Sequence, residues 1–159
     1  ITDELPQALF RRFALDEARQ AITGHSMGGH GALTIAMHHP ERFASVSAFA
    51  PICNPMESDW GRKQFTAYLG ENTALWEAHD ASALMRMSGF PGPVLIDTGT
   101  ADQFGDLLRT EALAEAMAAR RQHATLRLQP GYDHSYFFVS SFMEDHVTFH
   151  AEALYGVRE

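Results

Sequence analysis

Cysteine, basic residues and long apolar runs are all scarce in this sequence. The single cysteine, Cys53, excludes an internal disulfide and is typical of a protein of the reducing cytoplasm. The 12 basic residues against 20 acidic ones give a net charge of −8, and nucleic-acid-binding proteins usually present a basic face. The longest apolar runs, such as 48–52 and 93–96, are far too short to cross a bilayer. We therefore expect a cytoplasmic protein with neither a nucleic-acid nor a membrane partner.

Strand-like and helix-like segments alternate along the 159 residues, which is the length of one domain. Residue preferences and bounding turn residues predict strands at 20–23, 45–50, 94–98 and 125–128. The remaining regular segments predict helices at 3–13, 27–39, 106–121 and 140–155. Strands separated by helices form βαβ units. The expected fold is therefore α/β, with a mostly parallel sheet and helices on both of its faces.

The stretch 54–90 interrupts this alternation. It is rich in Trp, Met, Asn and Gly and connects the second predicted strand to the third. Long connections that leave the carboxyl ends of strands commonly build substrate sites. We expect this excursion to lie near a functional site within a single domain, 1–159.

A G-x-S-x-G motif is formed by Gly24-His25-Ser26-Met27-Gly28. It follows a predicted strand and opens a predicted helix, which is the context of a nucleophile elbow. Because side chains would collide in so tight a turn, we expect glycine to be required on both sides of Ser26. Ser26 is the candidate nucleophile, and the backbone N–H of Met27 is the candidate oxyanion donor. A glycine-rich turn without chemistry is the alternative interpretation.

Two further residues complete a candidate triad. In enzymes with such an elbow the acid and then the histidine follow the serine, each just after a strand. Asp102 follows the third predicted strand and His134 the fourth, so both should reach the sheet edge where Ser26 emerges. A serine hydroxyl is a weak nucleophile until a neutral imidazole takes its proton, and a carboxylate fixes the imidazole tautomer. The sequence therefore predicts a serine hydrolase.

Other acidic residues and histidines compete for these roles. Asp97 lies within the third strand and should point into a helix-covered face. Asp106 should begin the following helix, while Asp133 adjoins the histidine and is placed to orient its loop. We expect His25 to pack beside the nucleophile rather than to catalyse.

The remaining reactive side chains have simpler interpretations. His146 and His150 lie four residues apart on a helix, but no third ligand and no H-E-x-x-H motif is evident, so no metal is expected. Cys53 should be a small buried hydrophobe. Four aromatic residues of the excursion either line a pocket or pack in the core: Trp60, Phe65, Tyr68 and Trp76.

Separated blocks of sequence carry a family resemblance. They are GHSMGGHGAL at 24–33, APICNP at 50–55, WGRKQF with YLG at 60–70, ADQF at 101–104 and GYDHSYFF at 131–138, followed by Asp145-His146. In this order they resemble the S-formylglutathione hydrolases, also called the esterase D family, of the α/β-hydrolase superfamily. The resemblance spans nearly the whole chain.

The resemblance implies cleavage of the thioester S-formylglutathione to glutathione and formate in formaldehyde detoxification. The reaction would pass through an acyl-serine and need no cofactor, with Ser26, His134 and Asp102 in the catalytic roles. The candidate substrate-binding residues within the blocks are Trp60, Lys63, Phe104 and Tyr136. The family also implies activity on small carboxylic esters, a cytosolic location and a homodimer.

The chain departs from the family pattern in single residues and in length. Single departures occur at Asp59, Thr98, Gly105 and Phe149, and the change beside Trp60 makes ester hydrolysis a firmer expectation than glutathione preference. Family members continue further at the N-terminus, with the first strands of the sheet and the second oxyanion donor. We therefore expect the C-terminal part of such an enzyme. The alternatives are a general small-acyl carboxylesterase and a non-catalytic fragment without a complete oxyanion hole.

Overall fold

The structure, a computed structural model, describes residues 1–156 and contains a sheet of four parallel strands. The strands lie side by side in chain order as β1 (Ile22–His25), β2 (Val46–Phe49), β3 (Val94–Gly99) and β4 (Ala124–Gln129). The helices are α1 (Glu4–Arg12), α2 (Met27–His38), α3 (Asp59–Leu69), α4 (Ala81–Met87), α5 (Gly105–Leu108), α6 (Thr110–Arg120) and α7 (Tyr136–Tyr155). Helical crossovers join the strands, as parallel pairing requires.

Helices cover both faces of the sheet. On one face the strand residues Val46, Val94 and Ile96 are buried against α2, α4 and α6. On the other face α7 packs on β2 and β3, and Phe49 of β2 meets Phe138 of α7 edge to face. This arrangement confirms the expected α/β class, with a parallel sheet between helices.

The predicted helix 106–121 is wrong, because the chain forms two helices there. Arg109 separates α5 from α6 in the left-handed conformation, with φ 54°. The Leu108 carbonyl accepts a hydrogen bond from the Cys53 N–H at 2.7 Å and is thereby drawn away from the helix ladder. The Arg109 guanidinium donates to the Glu57 carbonyl at 3.2 Å. Contacts with Cys53 and with Glu57 of the excursion thus break the helix.

Two other boundaries differ from the prediction. The strand predicted at 20–23 is β1, which continues through Gly24 and His25 because both pair with β2. The helix predicted at 140–155 is α7, which begins earlier, at Tyr136, because Phe138 is buried against the sheet. Both differences bring regular structure closer to the residues of the candidate triad.

An open groove lies beside the edge strand β1. The helix α1 has no buried residue, and its apolar side chains line this groove together with Ile22 and Tyr155. None of the helices within residues 1–156 combines the length and apolar character needed to span a membrane.

The interface between α7 and the sheet contains buried polar contacts. His150 of α7 lies with Nδ1 2.7 Å from Ser45 Oγ and with Nε2 2.8 Å from Ser47 Oγ. Burial, together with the neighbouring His146, lowers the pKa of His150 to about 4. The imidazole is therefore neutral at neutral pH.

We predict that the protein loses stability through His150 as the pH falls from about 6.5 to about 4. The unfolded chain protonates this imidazole near its ordinary pKa of 6.5, whereas the folded protein does so only near 4. Binding of one proton changes the free energy of unfolding by at most about 1.4 kcal/mol per pH unit. The change is smaller here because the ring is partly exposed. The free energy of unfolding, measured by urea unfolding across this pH range, should depend less on pH in His150→Gln than in the wild-type protein. The same dependence on pH in both proteins would contradict this prediction.

Candidate active site

Ser26 lies in the sharp turn between β1 and α2. Its backbone angles, φ 57° and ψ −116°, are strained for a residue with a side chain. The Ser26 N–H donates to the Phe49 carbonyl at 2.9 Å. The Ser26 carbonyl accepts from the N–H groups of His30 and Ile52, at 2.9 and 3.4 Å. These bonds hold the strained turn in place.

Glycine is required on one side of Ser26 but not on both. A Cβ at Gly24 would lie 2.1 Å from the Gly28 carbonyl oxygen, so no other residue fits there. A Cβ at Gly28 would meet no heavy atom within 4 Å. The expectation of close packing is therefore correct for Gly24 and wrong for Gly28. The second tight position is Gly29, where a Cβ would lie 3.1 Å from Pro51.

The structure brings Ser26, His134 and Asp102 into one hydrogen-bonded chain. Ser26 Oγ lies 2.8 Å from His134 Nε2, and His134 Nδ1 lies 2.7 Å from Asp102 Oδ2. Since a carboxylate only accepts, Nδ1 carries the proton and Nε2 can accept from the serine hydroxyl. The side chains of Asp102 and His134 are 1% and 12% exposed, so water has little access to this pair.

The loops that carry Asp102 and His134 are held against each other. At the end of β3, Gly99 approaches the Tyr132 carbonyl so closely that a Cβ would lie 2.1 Å from its oxygen. The Phe104 N–H donates to Asp102 Oδ1 at 2.8 Å, which leaves Oδ2 for the imidazole. Backbone contacts thus orient the carboxylate toward His134.

The competing acidic residues have other environments. Asp97 points toward α7 and bonds to side chains of β4 and α7. Burial would raise the pKa of Asp97, but these hydrogen bonds outweigh it and lower the pKa to about 2. Asp106 lies in the first turn of α5, and Asp133 accepts from the Ser135 N–H at 3.0 Å. The carboxylate bonded to His134 is Asp102.

Aromatic rings surround the His134 imidazole. The ring of His25 lies 4.6 Å from it and that of Phe104 lies 5.0 Å from it, edge to face. The ring of Tyr136, a residue that is 80% exposed, lies 5.7 Å from the ring of His25. Burial and the neighbouring His134 lower the pKa of His25, so a second positive charge beside His134 is disfavoured. Of the predicted substrate-binding residues, Phe104 thus contacts His134 directly, whereas Tyr136 contacts His25.

An apolar pocket of about 190 Å³ opens between the first turn of α2 and α3. It is lined by Met27, His30, Ile52, Pro55, Trp60, Gly61, Gln64, Phe65 and Tyr68. Trp60 is the predicted substrate-binding residue in this lining, whereas Lys63 is exposed on α3 outside it. Trp76 packs in the core against Phe65. A larger depression near Phe90 lies at the opposite end of the sheet, away from the triad.

Sequence reasoning missed His30 as a member of this pocket. Its ring Nδ1 donates to the Ile52 carbonyl at 2.8 Å, and burial lowers the pKa of its imidazole. The signal was its position four residues after Ser26, one helical turn along α2. Met27 is the first residue of α2, so its N–H has no intrahelical acceptor and stays the candidate oxyanion donor.

His146 and Cys53 have structural roles away from the triad. Within residues 1–156, no three His, Cys, Asp or Glu side chains are grouped to hold a metal ion. His146 lies within hydrogen-bond distance of Ser47 and Asp97. Cys53 is fully buried, and burial raises the pKa of its thiol, so it stays protonated.

Comparison with known proteins identifies the family of the chain. The Esterase family model matches residues 1–149. The chain belongs to the Esterase family. An S-formylglutathione hydrolase of Paracoccus denitrificans (strain Pd 1222) is 66% identical over 154 residues, which are 97% of this chain and 55% of that protein. One of Arabidopsis thaliana is 48% identical over 157 residues, again 97% of this chain and 55% of that protein.

The fold of this chain is similar to that of a solved structure. An S-formylglutathione hydrolase from Agrobacterium tumefaciens superposes with a TM-score of 0.91 at 48% identity, covering 96% of this chain and 56% of that one. This Esterase-family chain therefore has the α/β-hydrolase fold expected from its sequence. It spans about half the length of these relatives.

Proposed function

We propose that this protein is a serine hydrolase with Ser26 as nucleophile, His134 as general base and Asp102 as the acid that orients it. The observation that carries the proposal is the hydrogen-bonded chain from Ser26 Oγ through His134 to Asp102, at 2.8 and 2.7 Å. This order of bonds leaves Nε2 able to take the serine proton and keeps a carboxylate beside the imidazolium that forms.

The proposed reaction has two halves. His134 Nε2 takes the hydroxyl proton as Ser26 Oγ attacks the acyl carbon, and the Met27 N–H stabilises the oxyanion. The bond to the leaving sulfur or oxygen then breaks, and His134 returns the proton to the leaving group. Water next attacks the acyl-serine while His134 takes its proton, and Ser26 leaves protonated as the carboxylic acid is released. This sequence requires no cofactor.

S-formylglutathione is the proposed substrate, with glutathione and formate as products and formaldehyde catabolism as the setting. The support is the 66% identity to a relative named for this activity. Trp60, Phe104 and Tyr136 are proposed to contact the substrate, and the exposed Lys63 is proposed to meet a substrate carboxylate. Small carboxylic esters are the second candidate substrates, because the pocket volume of about 190 Å³ is larger than a formyl group occupies.

We predict a higher kcat/KM for S-formylglutathione than for 4-nitrophenyl acetate. Discrimination between the two depends on how well each transition state is bound, and the glutathione part offers more contacts. The rates are measured on purified protein, with Ser26→Ala as the background control. A higher kcat/KM for the acetyl ester would favour the general carboxylesterase. No hydrolysis of either would favour the non-catalytic alternative.

We also propose a cytoplasmic location and a homodimer. The single cysteine, which is buried and protonated, suits a reducing compartment, and the family resemblance implies both properties.

A further inference from the structure

A buried hydrogen-bonded cluster beneath α7 has no part in the proposed reaction. His146 Nε2 donates to Asp97 Oδ2 at 2.9 Å, and His146 Nδ1 lies 2.8 Å from Ser47 Oγ. These are again an acid, an imidazole and a serine, but all three are 0% exposed. The two ring nitrogens are also used in the opposite order from those of His134. The cluster is therefore inaccessible to a substrate, but it can hold neighbouring residues in place.

The cluster joins three strands to α7. Arg127 of β4 donates through Nε to Asp97 of β3 at 2.7 Å and through Nη1 to Asp145 of α7 at 2.7 Å. Ser47 belongs to β2 and His146 to α7. A buried carboxylate is stable only when it is paired and hydrogen-bonded, so Asp97 keeps its partners in fixed places.

The cluster also contacts the residue that holds the nucleophile. The imidazole of His146 stacks on the ring of Phe49, with centroids 3.7 Å apart and an interplanar angle of 18°. Phe49 ends β2, and its carbonyl accepts the Ser26 N–H at 2.9 Å. The next residue, Ala50, has φ 41° and donates its N–H to the Asp97 carbonyl at 2.7 Å. Two contacts therefore link the Phe49 carbonyl to the cluster. They are the stack of His146 on the Phe49 ring and the hydrogen bond from the Ala50 N–H to Asp97.

We propose that His146 is a positioning residue that acts through Phe49 on Ser26. The inference rests on the proposed role of Ser26 as nucleophile. Hydrogen bonds at both nitrogens prevent the His146 ring from rotating, so its face fixes the Phe49 ring and with it the Phe49 carbonyl. Because the turn at Ser26 is strained, loss of this support lets the turn relax and moves Oγ away from the His134 imidazole. A displacement of about 1 Å in a catalytic group can cost about 100-fold in rate.

The test compares two variants with a matched control. His146→Gln keeps an N–H for Asp97 but loses the stacked ring, and Phe49→Leu removes the stack while leaving the polar cluster intact. Leu113→Ala is the control, because Leu113 is equally buried in the core on the opposite face of the sheet. For each purified protein, a fluorophosphonate probe measures the fraction of molecules with reactive Ser26, and mass spectrometry locates the adduct.

We expect kcat per labelled site to fall about 10- to 100-fold in His146→Gln and in Phe49→Leu, with KM little changed. Leu113→Ala should lower the melting temperature but keep kcat per labelled site. Unchanged kcat per labelled site in the two variants would overturn the proposal, and Phe49→Leu alone decides if His146→Gln does not fold. Absence of labelling at Ser26 in the wild-type protein would instead remove the proposed nucleophile and this inference with it.

Discussion

Ser26→Ala is expected to abolish hydrolysis, lowering kcat by about 10⁴- to 10⁶-fold. The substitution removes the atom that forms the acyl-enzyme and leaves His134 and Asp102 with nothing to activate. The fold should survive, because the backbone bonds that hold the turn come from the Ser26 N–H and carbonyl and not from its side chain. The measurement is steady-state hydrolysis of S-formylglutathione, with thermal unfolding to verify the fold.

Two companion variants make this result specific. His134→Ala should lose both hydrolysis and labelling of Ser26 by a fluorophosphonate probe, since the hydroxyl then lacks its base. Ser88→Ala is the matched serine control: its hydroxyl donates to the Leu84 carbonyl at the end of α4, far from the triad. Full activity is expected in that variant. Retention of more than about one per cent of the turnover in Ser26→Ala would exclude an acyl-serine route through this residue, since loss of the nucleophile in known triads costs far more.

The candidate triad could be predicted because its signals are local in sequence. A serine between a strand and a helix, and an acid and a histidine just after later strands, place all three at one edge of a parallel sheet. The prediction did not require knowing any side-chain contact. The same holds for the α/β class, since the alternation of strands and helices is visible residue by residue.

The features that escaped prediction depend on residues far apart in sequence. The helix break at Arg109 depends on the hydrogen bond from the Cys53 N–H to the Leu108 carbonyl. The periodicity of apolar residues in the helix does not predict this bond. Likewise, the space around Gly28 depends on which element passes near it. His146 in a helical sequence looks the same whether its partner is a metal or a buried serine. Only the packing of α7 on β2 and β3 distinguishes these cases.

Asp102→Asn is expected to lower kcat by about 10⁴-fold while leaving the fold intact. An asparagine amide directed at the imidazole would donate to Nδ1, which forces the ring proton onto Nε2. The ring could then no longer accept the proton of Ser26, although every atom stays near its place. Kinetics and the rate of fluorophosphonate labelling both report this loss.

The variant Asp97→Asn tests which of the two candidate carboxylates, Asp97 or Asp102, is the acid that orients His134. Asp97 bonds Arg127, Gln129 and His146 rather than the His134 ring, so its loss should lower the melting temperature. The effect on kcat should not exceed the roughly 100-fold expected from a displaced nucleophile. If Asp97→Asn instead lost about 10⁴-fold and Asp102→Asn stayed active, the acid assignment would be reversed. The hydrogen bond of 2.7 Å between Asp102 Oδ2 and His134 Nδ1 is the physical reason to expect the first result.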